Sequence, residues 1–555
     1  MPKEAWNWYV ADFECTTDSD DCRVWAWGMS PISHDPDLTY GNDIDSFMGE
    51  CFKNHSRIYF HNLQYDGSFI LNWLFLHGYK HSTERDLFRG EFSALIDKRN
   101  KFYNIRVNPF KGKQVEYRDS LKVIPMSVSA IPAAFGLDTD AKGSIDYTAY
   151  REPGHRLTDE EVAYLREDVF IVAKALAQQR DEGMESLTIG SAALKRYRTM
   201  VGTKSWGTFF PVLSRDLDGD IRRSYRGGYT IAAPKFKGRV VGPIRVYDVN
   251  SLYPSVMVDC DMPYGEPTCE YGSPPSPPCD MPLWVAHVVL TARLRGGFLP
   301  CIQIKNNMSY RSTQYLDVID EPVDVWVTSV DFALWQEHYD MNIMSWMEVY
   351  YFKSARGMFD EYINNFMEIK MVSEGGRRTI AKLFLNSLYG KFATNPDVTG
   401  KIPVVEDGAL RFVLGEATDR DPVYVPVGTF ITAWARDKTI RAAQRHYDIF
   451  AYADTDSLHL VTDGDPSDLD IHPTRLGAWK HEGDFDEGLY ARAKCYTEHD
   501  NTRDVWSTHI AGLPSRVAET VRFDDYKGKH FDGKLVPRQV PGGVVLKDVG
   551  FELHM

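Results

Sequence analysis

The stretch FAYADTDSLHL (450–460) sets two acidic residues between two short apolar runs. Apolar runs of this length predict buried strands, with a local turn between them. Alternation along the strand predicts Asp454 and Asp456 on one side, at the tip of a hairpin. The motif Tyr-x-Asp-Thr-Asp-Ser should arise by chance in only about one in several thousand chains of this length, so it constrains the fold strongly.

A second strand-like segment, IRVYDVNSLYPSVM (244–257), delivers Asp248 directly before a Ser-Leu-Tyr-Pro turn. If Asp248 meets the hairpin tip, the three aspartates form a two-metal site for in-line nucleotidyl transfer. One ion would activate a primer hydroxyl and the other would bind an incoming triphosphate. The expected cofactor is Mg²⁺, with Mn²⁺ as an alternative, at two ions per active site.

The segment RRTIAKLFLNSLYGKF (377–392) has the periodicity of an amphipathic helix. At about 100° per residue, its polar side chains share one stripe and its apolar side chains occupy the other side. Two cations, an amide and an aromatic ring suit a triphosphate and a base pair. The stripe consists of Arg378, Lys382, Asn386 and Tyr389. An ordinary amphipathic helix is the alternative interpretation.

Three N-terminal motifs contribute a second set of acids. AWNWYVADFEC predicts a buried strand with Asp12 and Glu14 on one face, where two carboxylates repel each other unless a cation lies between them. Asp66 follows an apolar strand-like run beside a turn glycine, and VAYLREDVF places Tyr164 and Asp168 on one helix face. The four carboxylates could hold two divalent ions roughly 4 Å apart for phosphodiester hydrolysis, with Tyr164 orienting the attacking water. Solvated surface acids are the alternative.

The composition is that of a globular protein with room for several cores: 555 residues, 43% hydrophobic and 25% charged. Strand-like and helical runs mix before the turn-rich stretch 265–282, which predicts α/β units followed by a loop or boundary. The segment 393–416 alternates like a hairpin with its turn near 406–408, and the C-terminal end predicts a small β-ribbon. Without a membrane-spanning apolar run or a signal core, cytoplasmic action is expected.

Charge and cysteine usage each leave an alternative open. The net charge of −15 argues weakly against nucleic-acid binding, whereas residues 201–240 contain eight basic and three acidic residues. Because local fields decide where a polyanion lies, basic stretches on an acidic body fit a DNA enzyme, although solvated helix faces would give the same pattern. The eight cysteines are expected to be free thiols, and a zinc site among Cys260, Cys269 and Cys279 is the alternative.

In their order along the chain, these motifs resemble those of the family B DNA polymerases, specifically the protein-primed phage enzymes of the phi29 type. Asp12-Phe13-Glu14, Asn62-Leu63-Gln64-Tyr65-Asp66 and Tyr164-x3-Asp168 resemble the three exonuclease motifs of the family. Residues 248–254, 382–390 and 452–457 resemble its three polymerase motifs. The resemblance, which covers nearly the whole chain, implies an α/β and α+β multidomain fold. An RNase H-like 3′→5′ exonuclease would precede a right-hand polymerase of palm, fingers and thumb, with two insertions.

The resemblance also implies roles at the polymerase site. Asp248 and Asp456 are the implied metal ligands, assisted by the Val249 carbonyl, and Asp454 is their close neighbour. By the same resemblance, Tyr253 is implied to lie under the sugar and to exclude a 2′-hydroxyl. Together with the helix stripe, the expected nucleotide contacts are Tyr253, Lys370, Arg378, Lys382, Asn386 and Tyr389.

Contacts with DNA are likewise implied by the resemblance. Tyr225-Arg226-Gly227-Gly228 is similar to the link that hands the primer end between the two sites. Lys494-x-Tyr496 resembles the motif that grips the primer strand. The residues implied to hold a single-stranded primer end are His61, Asn62, Phe69, Ser120 and Leu121, with Lys142 as an auxiliary exonuclease lysine.

Domain boundaries and partners follow from the same resemblance. The implied divisions are 1–188 for the exonuclease, 189–260 and 421–529 for the two parts of the palm, 261–357 for the first insertion, 358–394 for the fingers, 395–420 for the second insertion and 530–555 for the thumb. The first insertion is implied to contact a terminal protein that serves as primer, and the second to close a ring round the template and force strand displacement. The implied partners are template-primer DNA and dNTPs. A monomer without membrane contact, in the cytoplasm of an infected bacterial host, is expected.

Two other functions compete with a proofreading polymerase. One is a nuclease whose C-terminal two-thirds only binds DNA, and the other is a non-catalytic nucleic-acid scaffold. The intact set of Asp248, Asp454 and Asp456 counts against the first, and the scaffold predicts missing acids where every expected acid is present.

Overall fold

The computed structural model describes residues 5–138, 145–147, 149–305, 311 and 313–555. Its first strands are β1 Asn7–Cys15, β2 Val24–Pro31, β3 Thr39–Gly41, β4 Ser56–Phe60, β5 Lys80–His81, β6 Glu91–Ile96, β7 Phe102–Asn108 and β8 Val115–Asp119. They form one mixed sheet in the order β3-β2-β1-β4-β8-β7-β6-β5. Strands β1, β4 and β8 are parallel neighbours, so the ends of all three deliver side chains to the same edge of the sheet.

Helices cover this N-terminal sheet: α1 Ile44–Cys51, α2 Leu63–Leu76, α3 Ile131–Phe135 and α4 Asp159–Asp181, with single 3₁₀ turns at Ser120–Lys122 and Val128–Ala130. Helix α4 begins with a capping box, in which Thr158 and Glu161 satisfy each other's backbone N–H groups. The buried side chains Leu165, Val169 and Val172 belong to the face of α4 that packs on β1 and β2. This packing brings Asp168 to the carboxylates of β1.

The surroundings of Asp66 differ from the sequence-based prediction. We expected Asp66 and Gly67 in a turn, but both lie in the first two turns of helix α2, which begins at Leu63. Asn62 adopts a left-handed conformation with φ 82° between strand β4 and the helix. The apolar segment after Asp66 buries its side chains as a helix, so the chain needs no second turn at Gly67.

The next segment leads into the centre of the molecule and consists of α5 Ile189–Val201, α6 Thr203–Phe209, α7 Arg215–Arg223, β9 Thr230–Ala232, β10 Val240–Val241, β11 Ile244–Val249 and α8 Leu252–Asp259. A four-stranded antiparallel sheet in the order β12-β15-β13-β14 follows, made of β12 Met262–Tyr271, β13 Leu283–Leu294, β14 Val318–Thr328 and β15 Tyr339–Ala355. Helix α9 Ser329–His338 connects β14 to β15. The prediction of a loop over all of 265–282 is wrong for 265–271, because β12 pairs with the long β15 around an irregularity at Gly265, whose φ is 76°.

A helical layer and a hairpin come next: α10 Asp360–Val372, α11 Gly375–Ser387, α12 Tyr389–Phe392, β16 Asp397–Glu406 and β17 Ala409–Asp419. The predicted hairpin is confirmed, and its two-residue turn consists of Asp407 and Gly408, with φ values of 52° and 76°. An Asp-Gly pair suits this turn because both central residues need positive φ.

The chain ends with α13 Val425–Arg445, β18 Phe450–Asp454, β19 Ser457–Val461, β20 Trp479–Phe485, β21 Glu487–Arg492, β22 Cys495–Asp500, β23 Val505–Ile510, α14 Ser515–Ala518, a 3₁₀ turn Phe523–Tyr526, β24 Lys527–Val540 and β25 Gly543–His554. Strands β20-β11-β19-β18-β9 form the central sheet, and β10-β21-β22-β23 form its neighbour. The predicted C-terminal ribbon is confirmed as the β24–β25 hairpin, which begins at Lys527.

All eight cysteines are free thiols, as predicted. Among the described residues, the only group of potential metal-ligand side chains that lie close together is acidic and includes no cysteine, so the alternative of a zinc site finds no support there. None of the described helices is both long and apolar enough to cross a membrane.

Candidate active sites

The first acidic cluster lies at the edge of the N-terminal sheet. Asp12 and Glu14 come from strand β1 and Asp168 from helix α4, and one carboxylate oxygen of each lies within 4.8 Å of the others. Carboxylates this close repel one another, and oxygen donors are the ligands that Mg²⁺ prefers. The donor set therefore fits a divalent cation.

Asp66 belongs to the same electrostatic environment. Burial raises the pKa of Asp66 well above its ordinary value, and the charges of Asp12 and Glu14 raise it further. The side chain is 4% exposed, so the ionised form is costly unless a cation compensates it. Three of the four predicted carboxylates thus lie in one cluster, and the fourth, Asp66, interacts electrostatically with two of them.

Two tyrosines stand beside this cluster. The hydroxyls of Tyr164 and Tyr147 lie 3.2 Å apart. Burial, followed by the charge of Glu14, raises the pKa of Tyr147 to about 12. Sequence analysis missed Tyr147, since it lies outside any regular element and carries no periodic signal. The nearby prediction for Lys142 falls outside the described residues.

Polar residues between β4 and β8 form a second wall of the first site. His61 lies 2.9 Å from the hydroxyl of Ser120 and 2.7 Å from the carbonyl of Met126. Asp119, which is 1% exposed, accepts hydrogen bonds from the backbone N–H groups of Asn62 at 3.1 Å and Leu121 at 3.0 Å. Sequence analysis missed Asp119, although its place at the end of a buried strand was a usable signal.

Phe69 is buried rather than open to the site in this conformation. Its ring is 1% exposed and packs against Gly543 in the C-terminal hairpin, where a Cβ would overlap the ring. Gln539 of the same hairpin donates a hydrogen bond to the Ser68 hydroxyl at 3.1 Å. The first site is therefore bordered by the C-terminal hairpin.

The second acidic cluster lies on the central sheet. Asp248 is the cross-strand neighbour of Ser457, and the Val249 N–H donates a hydrogen bond to the Asp456 carbonyl at 2.8 Å. The prediction that Asp454 and Asp456 lie at the tip of a hairpin is confirmed, because β18 pairs with β19 up to Asp454 and Ser457. Strand alternation does not apply to Asp456, however, since it lies in the turn and not in a strand. The turn is tight, with φ of 65° at Thr455, and its geometry rather than the pleat directs Asp456 toward Asp248.

Asp454 has different partners from its neighbour. It forms an ion pair with Lys494 and accepts a hydrogen bond from the Thr230 hydroxyl at 3.1 Å. The Lys494 backbone N–H donates to the Tyr452 hydroxyl at 2.9 Å, and the Tyr452 ring lies 4.7 Å from that of Tyr496. The predicted Lys494-x-Tyr496 motif therefore packs directly against the β18–β19 hairpin.

Burial and neighbouring charge act together on Asp248. Burial raises its pKa to about 7, and the charges of Asp456 and Glu482 contribute, whereas Lys480 and Lys382 oppose the shift. Burial likewise raises the pKa of Asp456. Glu482 was missed by sequence analysis because only the pairing of β11 with β20, which are over 200 residues apart in sequence, brings it close.

The predicted nucleotide-contacting side chains converge beside these acids. The rings of Tyr253 and Tyr389 stack 3.8 Å apart. Burial lowers the pKa of Lys370, and the cations of Lys382 and Arg378 lower it further, so the three positive charges lie close to one another. Three members of the predicted polar stripe, Arg378, Lys382 and Asn386, are exposed on α11, as is Arg377. The fourth, Tyr389, begins the next helix, α12, and is half-buried.

The loop after α7 contacts the turn between β18 and β19. The Thr455 N–H donates to the Tyr229 carbonyl at 2.7 Å, and a Cβ on Gly228 would lie 2.5 Å from the Thr455 hydroxyl oxygen. The buried Arg436 donates to the carbonyls of Arg226 at 2.7 Å and Gly227 at 2.8 Å. Lys305 donates to the Tyr225 carbonyl at 2.8 Å.

Comparisons with known proteins agree with this geometry. Residues 49–154 and 150–470 match the family model described as DNA polymerase type B, organellar and viral. The chain is 40% identical to the DNA polymerase of Bacillus phage phi29, over 100% of this chain and 99% of that protein. It is 30% identical to the DNA polymerase of Streptococcus phage Cp-1, over 99% of this chain and 98% of that protein.

Solved structures give the same result. The structure of phi29 DNA polymerase complexed with primer-template DNA and incoming nucleotide substrates matches with a TM-score of 0.93 and 40% identity, over 99% of this chain and 100% of that one. The complex of phi29 DNA polymerase with single-stranded DNA matches with a TM-score of 0.92 and 38% identity, over the same shares.

Proposed function

Because this chain belongs to the phi29-type family B DNA polymerases, we propose that it carries two metal-dependent active sites, one that extends a primer and one that trims it. That the chain is a phage DNA polymerase follows from the comparisons; the proposal adds the 3′→5′ exonuclease and two-metal-ion catalysis. The observation that carries it is the presence of two separate acidic clusters. Asp12 and Glu14 of the N-terminal sheet meet Asp168 of helix α4, whereas Asp248 of the central sheet lies near Asp456 in the turn between β18 and β19.

At the synthetic site, two divalent ions would bind to Asp248, Asp456 and the Val249 carbonyl. When bound, Mg²⁺ or Mn²⁺ supplies charge that activates the primer 3′-hydroxyl and stabilises the triphosphate. Asp454 is occupied by Lys494, which leaves Asp248 and Asp456 as the ligands of the cluster.

The protein's own cations and rings hold the nucleotide. Lys370 and Lys382 neutralise phosphate charge, and the charge of Arg378 adds to theirs. Tyr389 packs on the new base pair. Tyr253, whose ring stacks on that of Tyr389, fills the space that a 2′-hydroxyl needs. Asn386 lies on the same exposed helix face.

At the trimming site, Asp12, Glu14, Asp66 and Asp168 would hold the ions, and Tyr164 would orient the attacking water. Bound ions lower the pKa of that water and stabilise the leaving 3′-oxygen. The side chains proposed to hold the single-stranded primer end are His61, Asn62, Phe69, Ser120, Leu121 and Lys142. Phe69 must leave its contact with Gly543 to take part, which couples primer binding to movement of the C-terminal hairpin.

The remaining assignments rest on the family. Residues 1–188 would be the exonuclease domain, 189–260 and 421–529 the palm, 358–394 the fingers and 530–555 the thumb. The first insertion, 261–357, would contact a terminal protein that primes synthesis, and the hairpin at 395–420 would force strand displacement. Tyr225, Gly227 and Gly228 would pass the primer end between the sites, and Lys494 and Tyr496 would grip it. The enzyme would act as a monomer in the cytoplasm of the infected bacterial host.

Separating the two activities by mutation tests the two-site proposal. Asp456→Ala should lower dNTP incorporation on a primed template on the order of a thousandfold or more, while hydrolysis of a labelled single strand continues. Asp12→Ala should do the reverse. Loss of both activities in either variant, with unchanged circular dichroism and thermal midpoint, would contradict two independent sites. No incorporation by the wild-type protein with Mg²⁺ or Mn²⁺ would favour the nuclease alternative.

Protein priming has its own test. The purified chain is mixed with a candidate terminal protein, Mg²⁺ and one labelled dNTP, without DNA primer. Transfer of label to the terminal protein, stable to denaturing electrophoresis, is expected. Absence of such transfer, while the same preparation extends an ordinary DNA primer, would reject priming and leave the polymerase proposal intact.

A further inference from the structure

Helix α5 carries an unusual local charge for so acidic a protein. Residues 186–215 contain five basic residues and no acidic one, although the whole chain has a net charge of −15. Four of these basic side chains are exposed in and next to α5, and we call them the α5 basic face: Lys195, Arg196, Arg198 and Lys204. Within the part of the chain that the structure describes, none of the four forms a salt bridge.

The surface around these cations is grooved rather than flat. Lys195 and Thr199 form a ridge between two concavities, one of which continues along Arg198 to Thr203. The other has Arg196 on its rim and Phe366 and Phe384 among its lining residues, and its one acidic lining residue, Glu182, is paired with Arg377 at 3.5 Å. Cations above an apolar floor suit a polyanion that also presents flat apolar groups, which describes a strand of nucleic acid.

The α5 basic face lies behind the nucleotide-binding helix. Ile380 and Phe384 of α11 line its concavity, whereas Lys382 and Asn386 point from the exposed stripe of the same helix. The two surfaces are therefore separated by about one helix diameter, roughly 10 Å. The face is a different surface from the nucleotide site, yet it lies one helix away from it.

The neighbouring hairpin indicates which strand reaches the α5 basic face. Gly190, near the start of α5, packs against Lys391, just before the β16–β17 hairpin begins. That hairpin is bridged to the N-terminal domain at Asp97 and Gly400, and to the C-terminal hairpin at Ala409 and Pro541. The hairpin therefore contacts both the N-terminal sheet and the C-terminal hairpin. Under the proposed function it encloses the template strand, and the strand that is excluded must run over the outer surface.

We propose that the α5 basic face binds the phosphate backbone of the single strand that is displaced ahead of synthesis. This inference rests on the proposed function, since displacement requires a polymerase that copies duplex DNA. Contact with the excluded strand holds the fork open, because a bound strand cannot reanneal with the template. Each phosphate neutralised by a cation releases a counterion, so the contact weakens as salt rises.

The test measures binding of forked DNA by fluorescence anisotropy, in an Asp12→Ala background that prevents trimming. One substrate is a primer–template with a downstream strand that carries an unpaired 15-nucleotide 5′ tail, and the other lacks the tail. The triple variant Lys195→Ala/Arg196→Ala/Arg198→Ala should bind the tailed fork about tenfold more weakly at low salt. It should also reduce the steepness of the plot of log K against log salt by about 2, because each of the three lost phosphate contacts contributes roughly 0.7 to the slope.

A matched control removes three exposed cations elsewhere. Lys53, Arg89 and Lys111 cluster at the opposite end of the N-terminal sheet, around the contact between Phe52 and Gly112. Lys53→Ala/Arg89→Ala/Lys111→Ala changes the net charge equally and should leave the affinity for both substrates and the salt slope unchanged.

Each other outcome overturns the inference. An equal loss of affinity for tailed and untailed DNA would assign the face to duplex binding, and no loss would make it a solvated surface. An equal effect when the tail is moved to the template strand would identify the wrong strand. Incorporation of dNTPs on a primed single-stranded template, which has no strand to displace, is measured in parallel and should be unchanged in the triple variant. Absence of this incorporation in the wild type with Mg²⁺ or Mn²⁺ would instead contradict the proposed two-metal synthetic site on which the inference rests.

Discussion

At the scale of single residues, five side chains decide the charge of the synthetic site. Burial, Asp456 and Glu482 make the ionised form of Asp248 costly, and Lys480 and Lys382 partly compensate. Lys480 also forms an ion pair of 2.7 Å with Glu482, so its charge is shared between two acids. The site therefore lacks positive charge, which a divalent ion would supply.

The pH dependence of metal binding follows from this imbalance. Because the pKa of Asp248 is about 7 in the folded protein and near 4 when unfolded, the folded state holds the proton more tightly and stability falls as pH rises between about 4 and 7. Mg²⁺ requires the ionised carboxylate, so protons compete with it below pH 7. Thermal unfolding should show that 10 mM Mg²⁺ raises the midpoint by about 1 to 2 °C more at pH 8 than at pH 6.

Asp248→Asn isolates this effect. The amide keeps the shape of the side chain but carries no charge, so the variant should lose its share of the pH-dependent response to Mg²⁺. Without metal it should be more stable than the wild type at pH 8. An identical response in the variant and the wild type would show that the raised pKa of Asp248 does not govern metal binding.

The residues that sequence could predict are those whose role is visible in local pattern. The β1 acids follow strand alternation and Asp168 follows helical spacing, and the structure brings all three together. Glu482 and Tyr147 escaped prediction, because the first depends on pairing between distant strands and the second lies in an irregular segment. Asp456 reaches its place through a turn, which a rule based on the strand pleat describes wrongly.

At the scale of elements, the tip of the β24–β25 hairpin connects the two ends of the chain. Gly542 packs on the Cys22 carbonyl and Gly543 on the Phe69 ring, with no space for a side chain at either position. Gln539 adds a hydrogen bond to Ser68. The contact sets how closely the hairpin lies to helix α2, which also carries Asp66.

Gly543→Ala should lift this tip. Because the added Cβ overlaps the ring of Phe69, either the ring or the hairpin must move, at a cost of about 1 to 3 kcal/mol. Hydrogen exchange should then be about tenfold faster at the amides of α2 around Phe69, while exchange in the central sheet is unchanged.

Gly49→Ala is the matched control for this change. Gly49 lies in helix α1 with open space where its Cβ would be, so the same substitution should leave exchange in α2 unaltered. Equal protection of α2 in Gly543→Ala and the wild type would mean that the tip does not restrain the helix.

Elements bounded by strong local signals were predictable. The Asp-Gly turn fixes the β16–β17 hairpin, and alternating apolar residues identify the C-terminal ribbon. Residues 265–271 were mistaken for a loop because Gly265 and Pro267 suggest turns, yet the long β15 supplies a pairing partner that overrides local propensity.

At the scale of the whole molecule, one path of contacts joins segments that are far apart in sequence. The buried ion pair of Asp331, in helix α9, and Arg436, in helix α13, has a distance of 2.7 Å. Arg436 donates to the carbonyls of the loop at 226–227, and that loop continues to Gly228, which approaches Thr455 in the turn between β18 and β19. Helix α9, the loop and this turn are therefore joined by one continuous series of contacts.

Gly228→Ala tests whether this path serves only the synthetic site. The added Cβ would lie 2.5 Å from the Thr455 hydroxyl oxygen and 2.8 Å from its Cβ, and Thr455 is short and branched, so the turn between β18 and β19 must shift. A shift of even about 1 Å at reacting groups costs as much as a hundredfold in rate, so incorporation should fall by at least about tenfold. Hydrolysis of a labelled single strand should be unchanged, because strand β1 of the first cluster belongs to the N-terminal sheet, whereas Thr455 lies between two strands of the central sheet. On a primed template the balance between the activities should therefore move toward trimming. Gly219→Ala is the control, since Gly219 lies in helix α7 just before this loop and a Cβ there meets no atom within 4 Å, so the synthetic rate should stay near that of the wild type. A loss of hydrolysis in Gly228→Ala equal to its loss of synthesis would mean that the two sites share one positioning framework.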